Sequence, residues 1–261
     1  MTAVLVVRKP DVFSRILTEN GFAAINCPTI ETARSENLHD LAAKISAKRY
    51  DGIFLTSQKA AEIVCEVVFC QNFTFSGKIY VLGRRSFERL REKNLDLFYA
   101  EEANTAREML EAIPPADLQN KRFLFIRGDK SLGTVREFLE KIATVDEEIV
   151  YETRFVKVEE KSRKEIEAKL NKGEIGAACF FSPSGAESFL EQFGGEVLQR
   201  TRLAAIGETT ADFLETRNLR VNFIAAKATA EDFASELIDY LKSSRFHVPS
   251  SKSESPYKLS T

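Results

Sequence analysis

Short apolar runs alternate along this chain with stretches whose apolar residues recur every three or four positions. The runs are Val4–Val7, Ile53–Leu55, Ile79–Leu82, Leu97–Tyr99, Phe123–Ile126, Ala177–Phe181, Leu203–Ile206 and Val221–Ile224. Each is apolar almost throughout, the pattern of a strand buried on both faces of a parallel sheet. Helical patterns follow several of them: KAAEIVCEVV after Thr56-Ser57, RRSFERLREKNL after Gly83, AESFLEQF after Ser182-Pro183, and ETTADFLETRNL after Gly207. Strands alternating with such helices predict an α/β fold, with parallel sheets flanked by helices.

The stretch Ala178–Ala211 holds two of these handovers in succession. The turns are Ser182-Pro183-Ser184-Gly185 and Gly207-Glu208-Thr209-Thr210. Ser184 stands three residues before Glu187, and Thr209 three before Asp212, the spacing of a capping box. Neighbouring turns of this kind put backbone N–H groups and hydroxyls on one rim of a sheet. Open α/β sheets bind ligands on that rim, and helix starts there favour anions.

The runs also repeat. Val4–Val7 meets Arg8 as Phe123–Ile126 meets Arg127. Ile53–Leu55 matches Cys179–Phe181, Ile79–Leu82 matches Leu203–Ile206, and Leu97–Tyr99 matches Val221–Ile224, all at an offset of roughly 120 residues. Two homologous β-α-β halves are therefore expected, forming two similar domains. Pro114-Pro115 closes the helix that starts near Thr105. Val145–Glu159 alternates apolar and polar residues, which suits an exposed strand, and Phe22–Ile30 is also strand-like. These two segments are expected to pair as a ladder joining the domains.

Composition narrows the function. A chain of 261 residues suits two ordinary domains or one large one, and 44% hydrophobic residues supply a core. With 37 basic and 39 acidic residues the net charge is −2, so nothing favours nucleic acid as a partner. Cys27, Cys65, Cys70 and Cys179 form no CxxC pair and read as reduced, mostly buried thiols of a cytoplasmic protein. His39 and His247 are the only histidines and lie in no metal-ligand spacing, against a zinc site or a serine triad. The segment GDKSLG at 128–133 lacks the GK[ST] ending of a phosphate loop. Ala3–Val7 is too short for a signal-peptide core, and no run approaches the roughly 18 apolar residues of a membrane span. Ser243–Thr261 reads as a disordered tail.

The motifs FFSPSGAESF at Phe180–Phe189, AAIGETTADFL at Ala204–Leu214 and VYET at Val150–Thr153 carry a resemblance, with weaker echoes in IFLTSQKAAE and VLGRRSFERL. Together they resemble the uroporphyrinogen-III synthases, over about Val4–Leu241. The first half departs from the family: many relatives carry Ser-Pro at Ser57-Gln58 and a shorter polar pair at Arg84-Arg85. The resemblance implies a cofactor-free enzyme that expels water from the linear tetrapyrrole hydroxymethylbilane. It then closes the ring with inversion of ring D, giving uroporphyrinogen III. It implies a discontinuous layout, residues 1–33 with 156–242 as one domain and 34–155 as the other, joined by two strands with the substrate in a cleft between them. It implies no nucleic-acid or membrane partner, and at most transient contact with the preceding enzyme of the pathway.

The substrate carries an acetate and a propionate on every ring. Its site must meet many negative charges without fixing ring D, which has to turn over. Backbone N–H groups at helix starts and nearby hydroxyls suit that task. The resemblance thus points to Thr56, Ser57, Gly83, Ser86, Ser182, Ser184, Gly185, Gly207, Thr209, Thr210 and Thr229 as substrate-binding. Arg8, Arg127, Gly128 and Lys130 stand at strand ends, where the basic ones add charge. Tyr151 is the family-matched donor or relay of the proton that lets water leave, since phenols ordinarily carry their proton at neutral pH. Plain readings stand beside these. Ser184 and Thr209 also read as N-caps, Tyr151 as a packed strand aromatic, Arg8 and Arg127 as surface ion-pair partners, and Phe189, Phe193 and Val197 as core. Two rival functions are a non-catalytic binder of a small anionic ligand and a nucleotide- or flavin-dependent enzyme. The absence of GxGxxG and of a Walker loop counts against the second.

Overall fold

The computed structural model describes residues 2–36, 38, 40–69, 73 and 75–243. His39, Cys70, His247 and the expected tail beyond Ser243 lie outside them. In the first part of the chain the order is β1 (Ala3–Val6), α1 (Val12–Glu19), β2 (Ala23–Asn26), β3 (Ile30–Arg34), α2 (Leu41–Lys48), β4 (Gly52–Leu55), α3 (Gln58–Val67), β5 (Lys78–Val81), α4 (Arg84–Leu90), β6 (Leu97–Tyr99) and α5 (Ala106–Glu111). There follow β7 (Arg122–Gly128), α6 (Thr134–Leu139), β8 (Thr144–Phe155), α7 (Glu160–Asn171), β9 (Ile175–Phe180), α8 (Pro183–Phe193), β10 (Arg202–Ala205), α9 (Glu208–Glu215), β11 (Val221–Ile224) and α10 (Ala230–Ser243).

The chain forms two compact units. Unit 1 holds residues up to Cys27, Glu165–Ser182 and the chain from Gly195; unit 2 holds Pro28–Lys164 and Pro183–Gly194. Residues 28–33, 156–164 and 183–194, expected with the terminal segments, therefore group with unit 2. Unit 1 has an all-parallel sheet in the order β11-β10-β9-β1-β2. The sheet of unit 2 runs β3-β8-β7-β4-β5-β6, parallel except for β3 against β8.

The repeat is visible in these orders. Reading β11-β10-β9-β1-β2 against β6-β5-β4-β7-β8, each strand meets its partner at the sequence offset noted above. The first repeat contributes β1-β2 to one sheet and β4-β5-β6 to the other, and the second does the reverse. That exchange is why unit 1 is discontinuous.

Apolar residues on the strands make the cores. In unit 1, Val4, Val6, Ala177, Cys179 and Ala204 pack under Phe13 and Leu17 of α1 and Phe233, Leu237 and Leu241 of α10. In unit 2, Ile53, Leu55, Ile79, Val81, Leu124 and Ile126 face α2, α3 and α4, while Phe54, Tyr80, Phe123 and Phe125 face α5 and α6. Burial pushes the Cys27 thiol up to about 12 and the Cys179 thiol further, so both stay protonated. Phe189 and Phe193 of α8 are buried and stacked with centroids 4.3 Å apart. Leu198, not the half-buried Val197, continues the buried stripe.

The expected ladder differs from the outcome. Phe22–Ile30 is not one strand. It breaks at Pro28, which has no N–H to give a ladder. The part before the break is β2, at the edge of the unit 1 sheet. The part after it begins β3, which pairs antiparallel with the end of β8, Ile30 opposite Phe155 and Arg34 opposite Tyr151. Thr29 between them is fully buried. Its hydroxyl donates to the Gly185 carbonyl at 3.0 Å, and its carbonyl accepts from Ser188 Oγ at 2.8 Å. Gln192 completes this seam, accepting from Val158 N and donating to the Val156 carbonyl. At the other end of the unit 2 strands, Asp146 accepts from Tyr50 at 2.8 Å and Arg122 at 2.9 Å. Those bonds hold its carboxyl down at about 2.

Candidate functional site

In a parallel sheet every strand ends on the same edge, so residues after the strands share a rim. In unit 2, β4, β5 and β7 end there and β8 passes beside them. Thr56 and Ser57 follow β4, Gly83 follows β5, and Arg127 and Gly128 finish β7. Ser57 is the N-cap of α3, its Oγ accepting from Ala60 N at 3.0 Å. Gly83 starts α4 with φ at 86°, in the left-handed region that favours glycine.

Tyr151 joins this rim from β8. The β7–β8 register shifts between Arg127 and Gly128, and the shift brings Tyr151 opposite Gly128. The ring lies so close over Gly128 that a Cβ there would fall 2.3 to 2.7 Å from Cζ, Cε2 and Oη. Below, the ring packs on the core of the unit. Its hydroxyl donates to Ser57 Oγ at 3.2 Å. Asp129 fixes the backbone on either side: its N–H donates to the Tyr151 carbonyl at 3.1 Å, and its Oδ1 accepts from Thr153 N at 2.8 Å.

Other unit 2 candidates are placed differently from expectation. Arg127 is largely buried, its Nε on Glu147 Oε1 at 2.8 Å and its Nη1 on the carbonyls of Gly128 and Asp129. Arg127 is thus an ion-pair partner, as its plain reading has it, but a largely buried one that shapes the loop after β7. Ser86 is 2% exposed, turned into α4's packed side. Ser184 lies one residue inside α8, which starts at Pro183, so it is not the N-cap; Ser182 occupies the preceding position. Gly185 is buried, with its carbonyl held by Thr29. Lys130 Nζ sits over the Phe155 ring, 5.8 Å from its centroid. A groove of about 490 Å³ in this unit is lined by Phe155, Val156, Lys157, Glu191 and Gln192 among others, and by none of the candidate residues.

Unit 1 has a rim of the same design. Arg8 follows β1, Ser182 follows β9, Gly207 follows β10 and Thr229 lies beyond β11. Arg8 is half-exposed, pairs with Asp11 at 3.2 Å and stacks over Phe181 at 4.5 Å. The N-cap of α9 is Gly207, which brings no side-chain cap bond. Thr209 is exposed inside the first turn and does not cap, because the helix begins before it. Thr210 is 3% exposed and faces the core. Thr229 caps α10, accepting from Asp232 N at 3.1 Å and donating to Asp232 Oδ2 at 2.6 Å.

Sequence reasoning missed Asp129, Ser131 and Thr29. The 128–133 segment, weighed above as a phosphate loop, is a turn. Gly128 N donates to Ser131 Oγ, and Ser131 N to the Gly128 carbonyl, each at 3.2 Å. Gly128, Asp129 and Ser131, three turn-forming residues within four positions, made that signal legible. Among the described residues no group of three or more His, Cys, Asp or Glu could hold a metal ion, and no helix is long and apolar enough to cross a membrane.

Comparison with known proteins decides what these rims belong to. The sequence profile of the uroporphyrinogen-III synthase HemD family matches residues 11–235. The chain belongs to the uroporphyrinogen-III synthase family. It is 28% identical over 255 residues to the uroporphyrinogen-III synthase of Chlorobaculum parvum, covering 93% of this chain and all of that one. The Schizosaccharomyces pombe synthase is 24% identical over 215 residues, 78% of this chain and 81% of that one. Among solved structures, a mutant uroporphyrinogen III synthase of Thermus thermophilus superposes with a TM-score of 0.66 at 16% identity, over 93% of this chain and 100% of that one. The Helicobacter pylori synthetase gives 0.61 at 16% identity, over 92% and 100%. The fold of these solved synthases is thus shared over more than nine-tenths of the chain, although few residues are.

Proposed function

We propose that Tyr151 gives or relays the proton with which water leaves the substrate, in the reaction this family catalyses. As a family member the chain is a cyclising lyase of tetrapyrrole synthesis, acting on a small tetrapyrrole. The substrate is the linear hydroxymethylbilane and the product uroporphyrinogen III. The observation that carries the reading is the setting of the Tyr151 hydroxyl. It lies at the strand-end rim, on a ring packed against Gly128, and donates to Ser57.

The chemistry asks for little else. The C–O bond of the hydroxymethyl group breaks heterolytically, driven by the electron pair of the adjacent pyrrole nitrogen, and needs no oxidant or cofactor. A proton donor aimed at the departing oxygen assists, because water is a better leaving group than hydroxide. Helix starts suit carboxylates, and each unit taken by itself offers them: α3 and α4 in unit 2, and α9 in unit 1. Thr56, Gly83, Ser182, Gly207 and Thr209 lie at such places, and the half-exposed Arg8 adds charge at the unit 1 rim. The substrate comes from the preceding enzyme of the pathway, by transient contact at most, in a cytoplasmic setting that suits the reduced thiols of Cys27, Cys65 and Cys179.

Tyr151→Phe tests the assignment, since it keeps the ring on Gly128 and removes only the hydroxyl. General acid catalysis is worth about 10²–10⁴-fold. Because the pyrrole itself drives ionisation, the expected loss in kcat is at the low end, about 10²-fold or less, with KM little changed. Steady-state kinetics that return the wild-type kcat refute the role.

A further inference from the structure

The hydrogen bond of Tyr151 ends on a serine that is already committed elsewhere. Ser57 Oγ accepts two hydrogens, from Ala60 N at 3.0 Å and from Tyr151 Oη at 3.2 Å. A hydroxyl oxygen has two lone pairs and one proton, so both acceptor sites are filled. The first bond is the N-cap of α3, a helix whose first turn packs Ala60 and Ala61 into the core, so Ser57 Oγ cannot wander. Ser57 was singled out as a group that grips a substrate carboxylate. Its geometry supports another task.

We propose that Ser57 is a positioning residue for Tyr151, accepting from the phenol before proton transfer and donating to the phenolate after it. The proposal rests on the assignment of Tyr151 above. In the step concerned, the C–O bond of the substrate breaks with its electron pair on oxygen. That oxygen takes the Tyr151 proton and leaves as water, the substrate carbon shares its positive charge with the pyrrole nitrogen, and Tyr151 is left as phenolate. Ser57 then turns its own O–H to the phenolate oxygen while still accepting from Ala60 N. Only a hydrogen rotates; no heavy atom moves. When ring closure later releases a proton from a pyrrole carbon, that proton restores the phenol. A hydrogen bond to a charged oxygen is stronger than one between neutral groups, so Ser57 holds the phenolate more tightly than it holds the phenol. That difference lowers the barrier. Gly128 completes the device, since its missing side chain is what lets the ring reach Ser57.

The test is a double-mutant cycle with kcat, KM and melting temperature measured for each protein. Ser57→Ala is expected to lower kcat about tenfold, the loss of one charge-assisted hydrogen bond, with KM nearly unchanged. Tyr151→Phe/Ser57→Ala is expected to turn over no more slowly than Tyr151→Phe alone, because without the phenol Ser57 has nothing to serve. Ser57→Thr keeps both hydroxyl and cap and retains most of kcat. Ser57→Gly keeps a good N-cap without the hydroxyl and behaves as Ser57→Ala even if the latter folds poorly. Two outcomes overturn the proposal: a raised KM with intact kcat in Ser57→Ala, or a double mutant slower than Tyr151→Phe by the full Ser57→Ala factor. Either one returns Ser57 to direct substrate contact and leaves the role of Tyr151 standing. Wild-type kcat in Tyr151→Phe overturns the Tyr151 assignment itself, and this proposal with it.

Discussion

Gly128→Ala should lose most of its turnover while remaining folded. The added methyl would stand 2.3 to 2.7 Å from the tip of the Tyr151 ring, closer than any non-bonded carbon tolerates. The clash is with the end of a side chain, not with backbone, so the ring gives way by swinging about its own torsions. The sheet register is held independently by Asp129, which bonds the carbonyl of Tyr151 and the N–H of Thr153. The phenol therefore leaves Ser57 and its place at the rim, and a misplacement of about 1 Å can cost 10²-fold in rate. The loss in kcat should be at least as large as in Tyr151→Phe, because the displaced ring also intrudes on the rim. Steady-state kinetics beside a melting curve check this. Wild-type kcat with the methyl in place would show that the ring position over Gly128 has no bearing on the reaction.

Gly52→Ala should destabilise the protein strongly. Gly52 begins β4 at the centre of the unit 2 sheet. A Cβ there would meet the Lys78 carbonyl at 2.8 Å, Tyr80 at 2.8 Å and Phe123 at 3.1 Å. The first is backbone and the others belong to a stacked aromatic core, so neither side yields cheaply. Overpacking of this kind costs about 1–3 kcal/mol, several degrees of melting temperature in a protein of this size. Gly207→Ala is the contrast. Gly207 follows β10 and opens the turn Gly207-Glu208-Thr209-Thr210. Yet its φ is 179°, extended backbone open to any residue, and a Cβ would lie 3.9 Å from Ala228, an ordinary contact. Its melting temperature should stay near that of wild type. Thermal denaturation of the two variants side by side decides the matter, and equal losses would contradict the packing described for β4.

The contrast between these glycines shows what was legible beforehand. Strand positions were readable because a doubly buried strand writes its burial as a continuous apolar run. The repeat made them doubly readable, since β4, β5 and β6 recur as β9, β10 and β11. The rim was readable too, because Ser, Thr and Gly collect where a strand hands over to a helix. Contacts made across strands were not. Gly128 meets Tyr151 only through a register shift between Arg127 and Gly128, and hydrophobic periodicity carries no register. Arg127 reads in the sequence either as a strand-end charge or as a surface ion-pair partner; it is an ion-pair partner, but a largely buried one, and Glu147 stands on the neighbouring strand, invisible to local spacing. Capping was misread by a residue or two for a similar reason. Ser184 and Thr209 have capping-box neighbours, but Pro183 and Glu208 begin their helices earlier, at positions set by the packing of α8 and α9. Phe22–Ile30 reads as one strand because apolar residues stand at both its ends, but the ladder breaks at Pro28.

The central claim, that this chain expels water from hydroxymethylbilane and closes it with ring D inverted, is tested most directly by the product. Freshly prepared hydroxymethylbilane is incubated with the purified protein, the porphyrinogens are oxidised, and the I and III isomers are resolved by chromatography. Spontaneous closure leaves ring D as it stands and yields isomer I. The account predicts isomer III in large excess, rising with protein concentration. Isomer I alone, formed no faster than without protein, would contradict it.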